Sequence, residues 1–292
     1  RRVKLMMTGN KSYSARILLD AIAVGKSDLF SYSYSTVIKM KSSLRAYYQR
    51  RGYLNVQVGS RVEEIGKWEK QVWFFVREGK RVNIDRLLFE GNGHFKDKVL
   101  SEELFAWVRG LLSTGTEGEL HTPDVNQWET KTAAVQWQRD AYTRLHMGQY
   151  ENPEELDADE VFLPDVYSEA PNVLREFYLE HGYLSVAVDE PKVSFSRTGQ
   201  RVKVHFMIAE GVQTLIDTVA VVGNTVRSRD EIIKLCGFYY DRPLNTLALN
   251  DLERKIHDDY AALGYIYSSA DISYTLSQDS TRAALIVGIY EG

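Results

Sequence analysis

Two short strings in this chain imitate nucleotide-binding loops, and each fails at a position that the chemistry requires. The Gly-Lys-Ser string at 25–27 resembles the end of a phosphate-binding loop, but the glycine needed five residues earlier is replaced by Asp20. The Gly-Asn-Gly string at 91–93 begins like a dinucleotide-binding turn, whose third glycine would fall at Lys96. We therefore reject the first match and interpret the second string as a turn.

The residues that bind metals or act as nucleophiles are equally dispersed. Asp157 and Asp159 lie in an acidic run that lacks the glycine and the terminal glutamate of a calcium loop. Cys236, the only cysteine, excludes an internal disulfide and a multi-thiolate site, and its helical context predicts a buried hydrophobic role. Six histidines stand singly: His94, His121, His146, His181, His205 and His257. We therefore expect no catalytic residues, no metal, no cofactor and no enzyme activity.

Length and composition favour several small globular domains. The chain has 292 residues, of which 44% are hydrophobic and 26% charged. Its net charge of -4 offers no basic field for the phosphates of nucleic acid, so we expect no nucleic-acid partner. No apolar run is long enough for a membrane-spanning helix. Since the sequence starts at Arg1 without a signal peptide, we expect it to be an excerpt from a longer protein.

Three dipeptides recur in the same order and reveal an internal repeat. Gly-Asn begins at 9, 91 and 223, Gly-Tyr at 52, 182 and 264, and Glu-Gly at 78, 210 and 291. The separation from Gly-Tyr to Glu-Gly is 26, 28 and 27 residues, so the spacing is kept as well. We predict three domains, at 1–79, 80–211 and 212–292, with an insertion in the middle one at about 111–165.

Each repeat reads as strand, helix, helix, strand, strand. The first strand ends at Gly-Asn, and the second follows Gly-Tyr with alternating apolar and polar residues, the pattern of a half-buried strand. The last strand, as at 72–76, is apolar on both faces, which favours the centre of a sheet. We predict an α+β fold in which each unit has a three-stranded mixed sheet covered on one face by two helices. The first strand runs parallel to the central third strand, and the second lies antiparallel at an edge.

The predicted helices follow the same repeat. The first repeat should contain helices at 14–24 and 36–49, and the third at 230–236 and 247–263. In the longer helix, apolar residues stand eight and four positions before the glycine of Gly-Tyr, so each pair shares one helix face. These pairs are Leu44 with Tyr48, Leu174 with Tyr178, and Ile256 with Tyr260.

The recurring strings resemble a known family. The string LRAYYQRRGYLNVQV and the later VWFFVREGKRVNIDRLLFEGN, echoed around Gly182 and Gly223, are similar to polypeptide-transport-associated (POTRA) domains of the BamA and TamA superfamily. The resemblance implies a periplasmic location in a Gram-negative bacterium, in the water-exposed part of an outer-membrane protein. It also implies three kinds of partner: unfolded outer-membrane proteins, accessory assembly subunits or lipoproteins, and a C-terminal β-barrel of the same protein.

The second strand of each repeat is the candidate binding site for clients. An unpaired sheet edge exposes backbone groups that an incoming strand can complete, a mode of binding called β-augmentation. The alternative is an edge that is blunted and unused. We expect proline at Gln57 or Ala187 to remove mainly an outward-facing donor. The candidate residues are Leu54, Asn55, Val56, Gln57, Val58, Leu184, Ser185, Val186, Ala187, Val188, Ile266, Ser268, Ala270 and Ile272.

The insertion in the middle repeat contains a predicted helix at 124–146 and an acidic run at 151–160. The helix carries one apolar stripe, formed by Trp128, Val135, Tyr142 and Leu145. This helix either packs on its own domain beside a solvated acidic loop or docks a neighbouring subunit.

Three functions compete on this sequence. The leading one is a substrate-handling and partner-docking segment of a BamA-type assembly factor, with a TamA-type factor as its close alternative. A structural periplasmic interaction module is the second class, although tandem copies argue against it. An enzyme with its site in the insertion is the third, and no clustered acid, base and nucleophile supports it.

Overall fold

The computed structural model describes residues 2–22, 33–67, 69–113 and 160–292, and the statements below concern these residues. The first repeat consists of β1 (Arg2–Thr8), α1 (Ala15–Ile22), α2 (Tyr34–Gln49), β2 (Gln57–Gly66) and β3 (Glu69–Arg77). The middle repeat consists of β4 (Asn83–Glu90), α3 (Asp97–Ser113), α4 (Pro164–Glu180), β5 (Ala187–Val188), β6 (Lys192–Phe195) and β7 (Arg201–Ala209). The third consists of β8 (Leu215–Val222), α5 (Arg229–Cys236), α6 (Leu249–Ala262), β9 (Ser269–Leu276) and β10 (Arg282–Tyr290).

The sheets have the predicted strand order. Their orders are β1-β3-β2, β4-β7-β5 with β6 also paired to β7, and β8-β10-β9. In the first and third sheets the first strand is parallel to the central strand and the second is antiparallel to it. The predicted strand order, with the last strand of each repeat in the centre of its sheet, is therefore confirmed.

The middle sheet departs from the expected three strands because its edge strand is in two pieces. β5 ends at Val188, and β6 begins at Lys192. Pro191 lies between them and has no backbone N–H to donate to a ladder, which accounts for the interruption.

Local sequence signals set the helix ends close to where they are expected. Ser33 caps α2 by accepting a hydrogen bond from the Thr36 N–H at 3.1 Å. Ser228 and Glu231 form a reciprocal capping box at the start of α5, and Gly237 ends that helix in the left-handed conformation. At the start of α2 and at both ends of α5, the observed and predicted helix limits differ by at most two residues.

The core of each repeat lies between the helices and one face of the sheet. The predicted helix pairs are buried in all three repeats, since Leu44, Tyr48, Leu174, Tyr178, Ile256 and Tyr260 are each at most 1% exposed. In β3, Val72, Phe74 and Val76 face this core, whereas Phe75 on the opposite face is 45% exposed. Cys236 is buried as predicted, and burial raises the pKa of its thiol to about 11.

The described residues form two compact units. The first comprises the described parts of 1–88, 105–168 and 192–204, and the second comprises 89–104, 169–191 and 205–292. The first sheet lies in the first unit and the third sheet in the second, while strands of the middle repeat contribute to both. The domain boundaries that the sequence predicts, 1–79, 80–211 and 212–292, stay predictions. Within the described ranges, no helix has both the length and the hydropathy needed to cross a bilayer.

The glutamate of each Glu-Gly dipeptide joins three elements of its repeat. In the first repeat, Glu78 follows β3, and its Oε1 accepts hydrogen bonds from the N–H groups of Lys11 and Ser12 at 2.7 and 2.9 Å. The same oxygen accepts a bond from the Tyr48 hydroxyl at 2.8 Å, and Oε2 accepts one from the Ser12 hydroxyl at 2.7 Å. The carboxylate thus ties the end of β3 to the loop after β1 and to α2.

The same arrangement recurs in the other repeats. Glu210 accepts hydrogen bonds from the Tyr178 hydroxyl at 2.8 Å and the His94 N–H at 3.1 Å, with the His94 ring nitrogen 2.6 Å from its other oxygen. Glu291 accepts from the N–H groups of Thr225 and Val226 at 2.6 and 2.8 Å, from the Thr225 hydroxyl, and from the Tyr260 hydroxyl at 3.2 Å. We call this arrangement the glutamate hub.

The hydrogen bonds of the hub control the pKa of its carboxyl group. Burial alone raises the pKa of Glu78, but hydrogen bonds from Ser12, Tyr48 and Lys11 outweigh burial and lower it. In Glu291 the bonds from Thr225 and Val226 dominate and lower the pKa to about 2. The ionised form is therefore stabilised by the fold.

In each repeat, the Gly-Asn dipeptide forms the turn that brings the loop after the first strand to the hub. Gly91 has φ +89°, and a Cβ built on it would lie 1.9 Å from the carbonyl oxygen of Ile208 in β7. The asparagine closes the turn, because the side-chain amide of Asn92 donates to the Phe95 carbonyl at 2.9 Å. Only glycine satisfies both the positive φ and the close approach.

We expect Gly91→Ala to lower the free energy of unfolding by more than the about 1–2 kcal/mol that left-handed backbone alone costs, because the methyl group also displaces β7. Gly199→Ala is the matched control, since Gly199 has φ +70° with no heavy atom within 4 Å of its built Cβ. Urea unfolding of both variants measures the difference, and equal losses would contradict a requirement for close packing.

The hub also predicts a pH dependence. The pKa of Glu78 is lower in the folded than in the unfolded chain, so its stabilisation is complete above the unfolded pKa near 4.5 and is lost as pH falls through the folded pKa. We expect the free energy of unfolding to fall less steeply below pH 4.5 in Glu78→Gln than in the unaltered chain. Urea titrations across this range measure both slopes, and identical slopes would show that the hub is not linked to protonation.

Candidate functional site: the edge strands

The turn after each Gly-Tyr dipeptide shifts the edge strands along the chain relative to the prediction. Val56 donates its N–H to the Tyr53 carbonyl at 3.2 Å, and Ser268 donates to the Tyr265 carbonyl at 3.1 Å. These bonds close a turn, so β2 begins only at Gln57 and β9 only at Ser269. The strands then continue to Gly66 and Leu276, well past the predicted ends.

The predicted edge residues therefore divide into two groups. Gln57 and Val58 lie in β2, Ala187 and Val188 form β5, and Ala270 and Ile272 lie in β9. The predicted place in an edge strand was wrong for the residues that lie in or beside the preceding turns: Leu54, Asn55, Val56, Leu184, Ser185, Val186, Ile266 and Ser268.

The direction of the backbone groups on each edge strand follows from the central strand. The carbonyl oxygen of Val76 in β3 lies 2.1 Å from the built Cβ of Gly9, so Val76 directs its backbone groups toward β1. Val58 lies opposite Val76 in the antiparallel pair of β2 and β3. Because the backbone groups of Val76 point toward β1, the two residues exchange no hydrogen bonds. The backbone groups of Val58, and by the period of two those of Ser60 and Val62, point away from the sheet.

The same direction holds in the other two repeats. The carbonyl oxygen of Ile208 lies close to Gly91 and that of Ile289 lies close to Gly223. These contacts match that of the Val76 carbonyl oxygen with Gly9. Their partners, Val188 and Ala270, therefore have outward backbone groups. Ile272 follows Ala270 by two residues and has the same outward direction.

This register corrects the expected effect of proline at Gln57 and Ala187. Asp189 donates its N–H to the Met207 carbonyl at 3.0 Å, so Asp189, and with it Ala187 two residues earlier, faces β7. Gln57 lies one residue before the outward Val58 and faces β3. Proline at either position would break a bond inside the sheet, and the outward donors belong to Val58, Ser60 and Val62.

The three edges differ in what already covers them. In the part of the chain that the structure describes, the backbone groups of Val58, Ser60 and Val62 have no hydrogen-bond partner. Beside them, Arg61 and Glu63 form an ion pair at 3.2 Å with side chains that are exposed. β2 is thus a strand of 10 residues with an open row of donors and acceptors.

In the third repeat, α6 occupies part of the edge. Glu253 accepts a hydrogen bond at 2.7 Å from the outward N–H of Ile272. The Nδ1 of His257 lies 2.8 Å from the carbonyl oxygen of Ser268, and it must carry the proton because a carbonyl oxygen only accepts. The middle edge is interrupted at Pro191, with 2 residues in β5 and 4 residues in β6.

The opposite edges are formed by the first strands, and two of these are covered by the chain itself. Ile84 in β4 donates its N–H to the Glu160 carbonyl at 2.9 Å. Ile216 in β8 donates its N–H to the Arg242 carbonyl at 2.8 Å. In the first repeat, β2 with 10 residues is longer than β1 with 7, and it is the longest edge strand among the described residues, so it is the candidate for binding.

The remaining site predictions concern the insertion in the middle repeat, and two edge residues were not predicted. Trp128, Val135, Tyr142 and Leu145 lie outside the described residues, and their docking role stays a prediction. Ser60 and Glu253 were missed as edge residues. Ser60 stands in a polar stretch without alternation, and the role of Glu253 depends on helix packing that spacing along the chain does not reveal.

The repeated sheets, turns and hubs agree with a family assignment. A family model described as "Surface antigen variable number repeat", the POTRA family, matches residues 4–79 and 82–211, more than two thirds of the chain. The chain belongs to the POTRA family. The third repeat, which this match does not include, has the same strand order and the same hub.

Curated relatives share a modest identity with the chain. A protein of Treponema pallidum is 24% identical over 271 residues, which are 89% of this chain and 26% of that protein. The outer membrane protein assembly factor BamA of Neisseria meningitidis is 20% identical over 279 residues, 94% of this chain and 29% of that protein. The chain therefore spans between a quarter and a third of the length of these relatives.

Solved structures of the family are also similar. The POTRA3-5 segment of BamA from Haemophilus influenzae is 15% identical, with a TM-score of 0.34 over 99% of this chain and 95% of that one. The N-terminal domain of Omp85 from Thermosynechococcus elongatus is 15% identical, with a TM-score of 0.32 over 99% and 95% of the two chains.

The register predicts an alternation in amide hydrogen exchange along β9. The N–H groups of Asp271, Ser273 and Thr275 bond to β10 and should exchange slowly, whereas those of Ala270 and Tyr274 face outward and should exchange fast. Ile272 should be slower than its outward neighbours because Glu253 accepts its N–H. Residue-resolved exchange by NMR measures these rates, and uniform rates along β9 would contradict the assigned register.

Proposed function

We propose that this POTRA segment binds unfolded outer-membrane proteins by β-augmentation, as the periplasmic part of a BamA-type assembly factor of a Gram-negative bacterium. The observation that carries the proposal is the open edge of β2, where Val58, Ser60 and Val62 direct their backbone donors and acceptors away from the sheet. The name of the Neisseria relative, an outer membrane protein assembly factor, supports the choice of client.

Backbone pairing suits a client whose sequence varies. An incoming strand bonds through its main chain, so its side chains need only alternate between two environments. Strands of outer-membrane barrels have this alternation over about ten residues. The open row of β2 therefore offers the pairing that such a strand lacks while it is unfolded.

The expected affinity is low. Each net hydrogen bond contributes about 0.5–1.5 kcal/mol, and ordering a flexible client costs part of the total. Three outward residues on β2 thus give weak and reversible binding. This suits a segment that receives a client and releases it to the next component.

Further partners follow from the proposed assignment. Accessory assembly subunits or lipoproteins would dock on surfaces away from β2, and a C-terminal β-barrel of the same protein would receive the client. The insertion helix predicted at 124–146 is the candidate docking element for a neighbouring subunit, with packing on its own domain as the alternative.

Replacing Ser60 by proline tests the proposal. The substitution removes one outward N–H and places a ring where the client backbone would lie, while the bonds between β2 and β3 remain. We expect the affinity for a labelled synthetic peptide of about ten alternating apolar and polar residues to fall about tenfold or more. Fluorescence anisotropy of the peptide with the 292-residue chain measures this affinity.

Ser60→Ala is the matched control, because it removes the side chain and keeps the backbone donor. It should bind the peptide as the unaltered chain does. Thermal unfolding verifies that both variants remain folded. If folded Ser60→Pro binds the peptide as tightly as Ser60→Ala, β2 is not the augmentation site.

A further inference from the structure

We propose that a client strand enters the first sheet at β2 and is excluded from the third sheet at β9, because Glu253 and His257 of α6 occupy the edge of β9. This inference rests on the proposed function, since it concerns which edge accepts the strand. It assigns a role to two polar side chains that contact the backbone at the edge of β9.

The blocking contacts use the groups that an incoming strand needs. Ile272 directs its N–H outward, and the Glu253 carboxylate accepts it at 2.7 Å. A hydrogen bond to a charged acceptor is stronger than one to a neutral carbonyl, so a client carbonyl does not displace Glu253 without loss. The Ser268 carbonyl is likewise engaged by the His257 ring at 2.8 Å.

Glu253 and His257 act together because of their spacing. They are four residues apart in α6 and therefore share one helix face. Ser268 and Ile272 are also four apart, so the two contacts secure the beginning of β9 against the helix. Both side chains are half-buried, as expected for groups held between helix and strand.

The first repeat has different residues at the matching positions. Leu44 and Ile256 are equivalent in the repeat, which places Lys41 where the third repeat has Glu253. Arg45 likewise corresponds to His257. A lysine ammonium group only donates hydrogen bonds, so Lys41 cannot accept the outward N–H of Ser60, the counterpart of Ile272.

The middle repeat has an interrupted edge strand and, among its described residues, no blocking side chains on α4. Its α4 has Pro171 and Arg175 at the matching positions, and neither side chain can accept a backbone N–H. Its edge strand is divided at Pro191 into β5, with 2 residues, and β6, with 4 residues. A divided edge offers a client fewer consecutive outward groups than the 10 residues of β2, and β2 is therefore the edge proposed to accept one.

Hydrogen exchange with the 292-residue chain tests the inference, using the synthetic strand peptide as the probe. In the unaltered chain, added peptide should slow exchange in β2 and leave β9 unchanged. In Glu253→Ala/His257→Ala, the peptide should slow exchange in β9 as well, and a second binding event should appear. Glu253→Gln is the control, because its amide oxygen still accepts from Ile272 and should keep β9 closed.

The reverse substitution closes the open edge. Lys41→Glu places a carboxylate beside the N–H of Ser60 and should lower peptide affinity at β2 about tenfold. Lys41→Gln, which removes the positive charge without adding a negative one, should have a smaller effect. Thermal unfolding establishes that each variant is folded before binding is compared.

The outcomes separate this inference from the proposed function. If β2 is protected by the peptide but β9 stays unprotected in the double variant, the blocking role of α6 is refuted while augmentation at β2 stands. Equal protection of β2 and β9 in the unaltered chain also refutes it. If the peptide protects neither strand in any variant, the proposed function fails and the inference fails with it.

Discussion

The carboxylate of the glutamate hub is the interaction on which the rest of each repeat depends. It ends the central strand, accepts the backbone N–H groups of the loop after the first strand, and accepts the tyrosine hydroxyl of the second helix. An ionised group held by three or four donors gains charge-assisted bonds that exceed the cost of its partial burial. This explains why Glu-Gly, Gly-Asn and the helical tyrosine recur together in three repeats.

The hub also determines the properties of the edge strand, although no hub residue lies in that strand. By fixing the loop after the first strand, it holds the Gly-Asn glycine against the central strand, as Gly9 is held against Val76. The Val76 carbonyl must then point toward the first strand. Because strand residues alternate, that single direction determines which residues of β2 have outward backbone groups. Core packing and the proposed binding edge are thus linked through one backbone orientation.

The sequence was sufficient for the sheet order and the helices, because burial leaves periodic patterns along the chain. The doubly apolar segment at 72–76 indicated a central strand, and Tyr48 with Leu44 indicated the buried helix face. The limits of β2 could not be read in the same way. Leu54 and Val56 continue the alternation of Val58 although they belong to a turn, whereas the polar residues after Gly59 lie in the strand.

The outward or inward direction of a backbone group leaves no trace in residue types, since every residue except proline has the same N–H and carbonyl. The error at Ala187 arose for this reason, and the bond from Asp189 to Met207 revealed it. The contact of Glu253 with Ile272 was hidden for a related reason. It joins a helix to a strand across a distance set by packing, and its counterpart Lys41 shows that the repeat does not preserve it.

The three repeats therefore share their hub and differ at their edges. A chain with three open edges could bind one unfolded client at several points, and linked sites raise avidity by about 10²–10⁴ without any new contact. Release would slow in proportion, because each site would hold the client near the others. Under the proposed function, a client strand that pairs with β2 alone is held at one point, so its binding stays weak. Limiting the number of edges that accept a strand would thus let a repeated fold bind an unfolded client and still release it.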